Sequence, residues 1–199
     1  LQGSAAALGI PAPDVDALAA ALPRAAMPQT WGAAWVTGGA VRGGPPLLGM
    51  GHGAAGIALA LGEAAADGDD AAPPAWPDLR KLGDDGAPVG SMAAWCHGAI
   101  GIGLSRVRLA ALLPDPRLTA EATAALQAAR NLAVQAGTAV RAGALSDSTA
   151  CHGLAGVVEL MLVAARGLGV RDHAQAAKRV VRLMLEQRVA AEGQWPCGL

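Results

Sequence analysis

The chain has 199 residues, enough for one domain or two small ones, with a formal net charge of −1 and 53% apolar residues. That charge supplies no basic field for nucleic acid or an anionic membrane surface. With five Trp and no Phe or Tyr, stacking on bases is nearly excluded as a binding mode. Three cysteines are an odd number and too few for a disulfide scaffold, so Cys96 and Cys151 read as reduced thiols of a cytoplasmic protein. Residues 1–20 carry Asp14 and Asp16 and no basic leader. Arg106, Arg108 and Glu159 interrupt the best apolar runs, so no membrane span is expected.

Residues 1–44 form a Gly/Pro-rich segment, with a short helix expected around Asp14–Leu22 and ended by Pro23. Trp31 and Trp35 sit four apart and read as core packing. A first apolar helix is expected from Gly53 to Ala66, followed by a loop through the acidic run 67–70 and Pro73-Pro74. A second apolar helix should span Ala99–Leu113, stopped by Pro114. Asp115-Pro116 opens an amphipathic helix to about Ala136, with Leu118, Ala122, Leu126, Ala129 and Ala133 as its apolar stripe. Arg117, Glu121 and Arg130 fall among its polar positions, and 137–147 reads as loop. The pair then recurs. Leu154–Arg166 is apolar and Asp172–Val189 amphipathic, separated by a break at Gly167–Gly169. Ala176, Val180, Leu183 and Met184 form the buried side of the last helix, and His173 is expected to be solvated. No strand is evident. The pattern predicts an all-α protein with apolar helices inside and amphipathic helices outside.

One motif precedes the apolar helices. Gly51-His52-Gly53-Ala54-Ala55-Gly56-Ile57, Trp95-Cys96-His97-Gly98-Ala99-Ile100-Gly101-Ile102 and Ala150-Cys151-His152-Gly153-Leu154-Ala155-Gly156-Val157 share a His-Gly-x-x-Gly-[Ile/Val] core. The histidines stand at 52, 97 and 152, intervals of 45 and 55 residues, and such self-similarity marks a repeat architecture. Cys and His are metal ligands of suitable softness, and the glycines allow a tight turn into the helix. If the copies share one geometry, two cysteines and up to three histidines could meet one zinc ion.

Cys96, Cys151 and His152 are the leading ligand candidates; the alternative is two buried thiols and a helix-capping imidazole. His97 as a fourth ligand would make a closed structural site, whereas three ligands leave a position for substrate or water. His52 lacks a cysteine and reads equally as ligand, general acid/base or cap. Asp147 suits a turn or N-cap better than an imidazole-orienting role. Cys197 follows Trp195-Pro196 without a motif and reads as a bystander.

These motifs, with Trp76-Pro77-Asp78-Leu79-Arg80, resemble the lanthipeptide cyclase (LanC-like) family. The resemblance is greatest to the C-terminal cyclase domain of class II, LanM-type lanthipeptide synthetases, and covers residues 45–199. It implies an α,α-toroid, here partial, and a zinc ion held by Cys96, Cys151 and His152. It further implies a catalytic role for His52 and argues against His97 as a ligand. The implied reaction adds a peptide cysteine thiolate to dehydroalanine or dehydrobutyrine, giving lanthionine or methyllanthionine, with His52 as proton donor. The implied partners are a dehydrated precursor peptide and a dehydratase domain in the same parent chain. The chain is shorter than a full toroid, with too little sequence between His52 and Trp76 for an outer helix. No counterpart of the family's active-site aspartate, which the early helices contribute, can be assigned, so the resemblance implies a truncated member. The alternatives are a non-catalytic, zinc-stabilised helical module that binds a peptide, and an enzyme of the same family that adds a thiol such as glutathione.

Overall fold

The computed structural model describes residues 21–29, 32–34, 76, 84 and 90–197. Four α-helices organise these residues: α1 (Ala99–Ala110), α2 (Pro116–Arg141), α3 (Leu154–Gly167) and α4 (Arg171–Ala190). The helix expected at Asp14–Leu22 lies largely outside the described residues. Trp31, Trp35, His52 and the helix expected at Gly53–Ala66 lie wholly outside them.

The helix starts fall where the sequence puts them. Pro116 occupies the first turn of α2, where a missing N–H costs nothing, and the Asp115 carboxylate accepts from the Arg117 N–H at 2.9 Å. The Arg117 guanidinium also bonds that carboxylate, and the two contacts hold its pKa below the usual carboxylate value. α1 ends at Ala110, three residues before the expected Leu113. The chain leaves as a turn, with Leu112 and Leu113 N–H groups both reaching Leu109 O, because the residue before Pro114 is pushed out of the helical region.

α1 and α3 pack side by side as an inner layer, and α2 and α4 cover them, α2 on α1 and α4 on α3. This arrangement is all-α and consistent with an arc of a helical toroid. α1 is buried nearly all round, ten of its twelve residues, as its continuous apolar run demands. Ile100, Ile102, Leu104 and Val107 meet Leu154, Val157, Leu160 and Met161 of α3 in one core. Burying each such side chain stabilises the fold by about 1.5–3 kcal/mol. Ala122, Ala125, Ala129 and Ala177 are essentially inaccessible; their small side chains let the outer helices approach the inner ones closely. Trp76 is buried in the same core. Among the described residues no helix is long and apolar enough to cross a membrane.

Four expectations are corrected. First, Met27–Gln29 (β1) and Gly32–Ala34 (β2) form a small antiparallel hairpin, in register Met27↔Ala34, Pro28↔Ala33 and Gln29↔Gly32. Strands of three residues are too short to show the alternation that identifies a strand in sequence. Second, α2 continues past Ala136 to Arg141. Gly137 stays helical; the glycine that stops the helix is Gly143, whose φ of +82° favours a residue without Cβ.

Third, Glu121, read from the sequence as one of the polar positions of this helix, is buried: it pairs with Arg106 of α1, itself 4% exposed. Fourth, His173 is buried, and its Nδ1 accepts from Arg130 Nη2 at 3.1 Å across α4 and α2. Burial first, and then the Arg130 charge, push its pKa below the ordinary 6.5, so the imidazole that accepts this bond is neutral.

The Arg106–Glu121 pair ties α1 to α2 inside the core. Removing one member strands a buried charge, because the pair is made through Arg106 Nε and among the described residues the buried Nη1 has no hydrogen-bond partner to fall back on. Glu121→Ala is expected to cost about 3–5 kcal/mol in urea unfolding. Replacing both residues by apolar side chains of similar size is expected to recover most of that loss. A single-variant loss under about 1 kcal/mol would show that the pair is not holding the helices together.

Candidate metal centre

The second and third motif copies build the same turn. In each, the cysteine stands two residues before the glycine that caps the helix: Cys96 before Gly98 on α1, and Cys151 before Gly153 on α3. In each, a carbonyl six residues upstream of that glycine accepts the first helical N–H. Ala99 N–H donates to Met92 O at 3.0 Å and Leu154 N–H to Asp147 O at 2.9 Å. The same carbonyl presses on the glycine. A Cβ at residue 98 would lie 2.0 Å from Met92 O, and one at residue 153 would lie 2.4 Å from Asp147 O. Both glycines have extended backbone, so it is this close approach, not their dihedral angles, that requires them.

The two turns are fastened together. Trp95 N–H donates to Cys151 O at 2.9 Å, which aligns the thiol-bearing loops at the N-terminal ends of the inner helices. Further bonds hold the second loop. Gln187 of α4, fully buried, accepts the Ser146 N–H on its Oε1, and Ser148 N–H donates to Pro196 O at 2.8 Å. The Asp147 carboxylate accepts from Thr149 N–H at 2.7 Å, which is the turn role expected of it.

These turns bring Cys96, Cys151 and His152 together, with one donor atom from each all within 4.8 Å of one another. His152 Nε2 lies 3.3 Å from Cys96 Sγ and 3.8 Å from Cys151 Sγ. Ligand atoms around a tetrahedral zinc, at about 2.0–2.3 Å from the metal, stand roughly 3.3–3.8 Å apart. The spacing and the soft donor set therefore suit a thiophilic divalent ion such as zinc. Burial grades across the group: Cys96 is buried, Cys151 half-buried and His152 exposed. Of the three, His152 also lines a cavity of about 350 Å³, bounded further by Gly153 on the loop and by Leu132, Gln135 and Ala136 of α2.

His97 stands beside this group, outside the trio. Its ring approaches that of His152, with centroids 5.3 Å apart. Its Nδ1 is 2.6 Å from Cys96 Sγ and its Nε2 2.8 Å from Met92 Sδ. Cys197 is exposed. His52 lies outside the described residues. Sequence reading missed Gln187 and Met92 as supports of the site. Gln187 gives no sequence signal, since a lone glutamine in an amphipathic helix normally faces water. Met92 has one only in retrospect, as the counterpart of Asp147 six residues before the motif glycine.

The glycine contact gives a direct test. Gly153→Ala forces the Asp147 backbone to move, and the thiol and imidazole of the loop with it. The expected result is a loss of about 10–100-fold in divalent-metal affinity, measured by competition with a chromophoric chelator, with helix content by circular dichroism retained. Unchanged affinity would show that this turn does not position the donors.

The geometry agrees with what comparison of the whole sequence finds. No curated protein matches the chain. The family described as lanthionine synthetase C-like protein matches residues 39–189, which takes in all three His-Gly motifs and nearly all of the four helices. A match over that share of the sequence, with the cysteine–histidine turns at its centre, makes this chain a member of the lanthionine synthetase C-like family.

Proposed function

We propose that this chain is a zinc-dependent lanthipeptide cyclase, which adds a peptide cysteine thiol to dehydroalanine or dehydrobutyrine and forms a lanthionine or methyllanthionine thioether. Family members are typically cyclases acting on peptide substrates. The observation that carries the reading is the convergence of two thiols and one imidazole at the ends of the inner helices, with an accessible side.

Cys96, Cys151 and His152 would hold the zinc ion. Bound there, zinc supplies the Lewis acidity that makes a substrate thiol, pKa about 8.5 when free, available as thiolate at neutral pH. Cys96 closes the inner side against water, while His152 borders the cavity through which a peptide would reach the centre. In the reaction a C–S bond forms at the β-carbon, the π pair of the dehydro residue moves to the α-carbon, and a proton must arrive there. We assign that proton to His52, whose motif copy has the histidine without the cysteine. The substrate thiol gives up one proton and the α-carbon gains one, so no oxidant or reductant is needed.

The test uses the zinc-loaded chain and a pre-dehydrated peptide whose remaining free thiols are counted over time. Wild type is expected to bind about one zinc and consume thiol, and Cys151→Ala to lose both. His52→Asn is expected to keep zinc and react about 10²-fold or more slowly. Zinc binding without thiol consumption would favour a peptide-binding module. Consumption of added glutathione in place of the peptide thiol would favour a different thiol substrate. Zinc loss in His52→Asn would make that histidine a ligand.

A further inference from the structure

α2 and α4 flank a groove of about 570 Å³ whose chemistry differs from that of the metal centre. Its floor is apolar, formed by Ala133 of α2, Met161 of α3, and Val180 and Leu183 of α4. Its rim is basic, with Arg130 and Arg141 from α2 and Arg179 and Arg182 from α4. Glu186 is the one acid among the described residues that line it. Among the described residues none of the four guanidinium groups forms an ion pair, such pairs joining Arg106 to Glu121 and Arg117 to Asp115, and Arg130 donates to the neutral His173 ring.

This basic rim is not a reflection of overall composition. The chain as a whole is at −1, yet α4 carries five Lys or Arg against two acids. α2 carries three arginines against one acid, and that acid is buried on Arg106. Four arginines against the single acid Glu186 leave the trough with an excess of positive charge, and a ligand with carboxylates flanking an apolar face would offset that excess while covering the floor. A bare anion would leave the floor wet. Nucleic acid would find no aromatic platform in the lining. An amphipathic helix laid into a groove satisfies both features, with apolar anchors at i, i+3/i+4 and i+7. Arg130 and Arg141 are eleven residues apart on α2, about 16 Å, or three turns of a bound helix.

We propose that this groove docks an acidic, amphipathic helical segment of the peptide substrate. α2 connects the two sites: residues 130, 133, 137 and 141 face the groove, while 132, 135 and 136 border the cavity beside His152. A segment held on the groove therefore tethers the peptide to the helix that borders the metal centre. That the docked peptide is the substrate rests on the cyclase reading; the docking itself does not.

The experiment uses the 199-residue chain and a fluorescent synthetic helix of about twelve residues, with leucines on one face and glutamates beside them. Anisotropy is expected to show saturable binding at low salt that weakens as salt rises. Arg179→Glu/Arg182→Glu is expected to weaken it at least about tenfold, and a lysine-for-glutamate probe to bind that variant better than wild type. Ala133→Trp, which fills the floor without changing charge, is also expected to weaken binding. Chelating the metal should leave the affinity unchanged, so failure of the cyclase chemistry does not affect this readout. In the cyclisation assay, appending the acidic helix to a substrate is expected to lower KM in wild type but not in the double-charge variant, with kcat unchanged. No probe binding, equal binding by wild type and the arginine variant, or displacement of the probe by self-association of the chain would overturn the docking proposal. Probe binding with no effect on KM would overturn its assignment to the substrate.

Discussion

The contact between a loop carbonyl and a glycine, made once at Gly98 and again at Gly153, governs the rest of the structure. At both positions the carbonyl occupies space that any other residue would fill with Cβ, and in the same place it accepts the first N–H of an inner helix. A helix N-terminus needs such acceptors for its orphan N–H groups. Neither Gly98 nor Gly153 has a side chain to supply one, and a backbone carbonyl takes that role. The turn so formed carries a cysteine two residues ahead of the glycine in each copy. Because α1 and α3 pack side by side, the two matching turns put two thiols near each other.

The rest of the described structure keeps those two turns in register. The bond from Trp95 N–H to Cys151 O joins them directly. The apolar interdigitation of α1 and α3 holds the helices beneath them, and the buried Arg106–Glu121 pair fastens α2 to that inner layer. A buried ion pair is weak evidence for net stability, since desolvation offsets much of the attraction. It does penalise any arrangement of α1 and α2 that separates the charges. α4 contributes from outside, its buried Gln187 accepting a loop N–H just ahead of Cys151-His152. The metal-ligand candidates therefore rest on all four helices, not on their own loops alone.

Much of this was legible in the sequence, for reasons specific to particular residues. Pro116 and the motif glycines are local signals, and they mark the starts of α1, α2 and α3. Cys96, Cys151 and His152 stood out because one motif recurs, and recurrence predicts a shared geometry. What escaped was tertiary. Glu121 and His173 look like polar positions of amphipathic helices until Arg106 and Arg130 arrive from other helices to pair with them. Gly137 looks like a stop, but the backbone takes its left-handed turn at Gly143. The loop supports Gln187 and Met92 depend on which residues fold against them, which no local pattern encodes. His52 lies outside the described residues, so its role stays with the motif and the family resemblance.

The central claim is that Cys96, Cys151 and His152 share one metal ion and leave a position open for a substrate thiol. X-ray absorption at the zinc edge of the loaded chain measures this most directly. The account expects two sulfur ligands at about 2.3 Å and two nitrogen or oxygen ligands at about 2.0–2.1 Å. It also expects a third sulfur to appear when a thiol-containing peptide is added. A first shell with no sulfur, or one that already holds four protein ligands and is unchanged by the peptide, would contradict it.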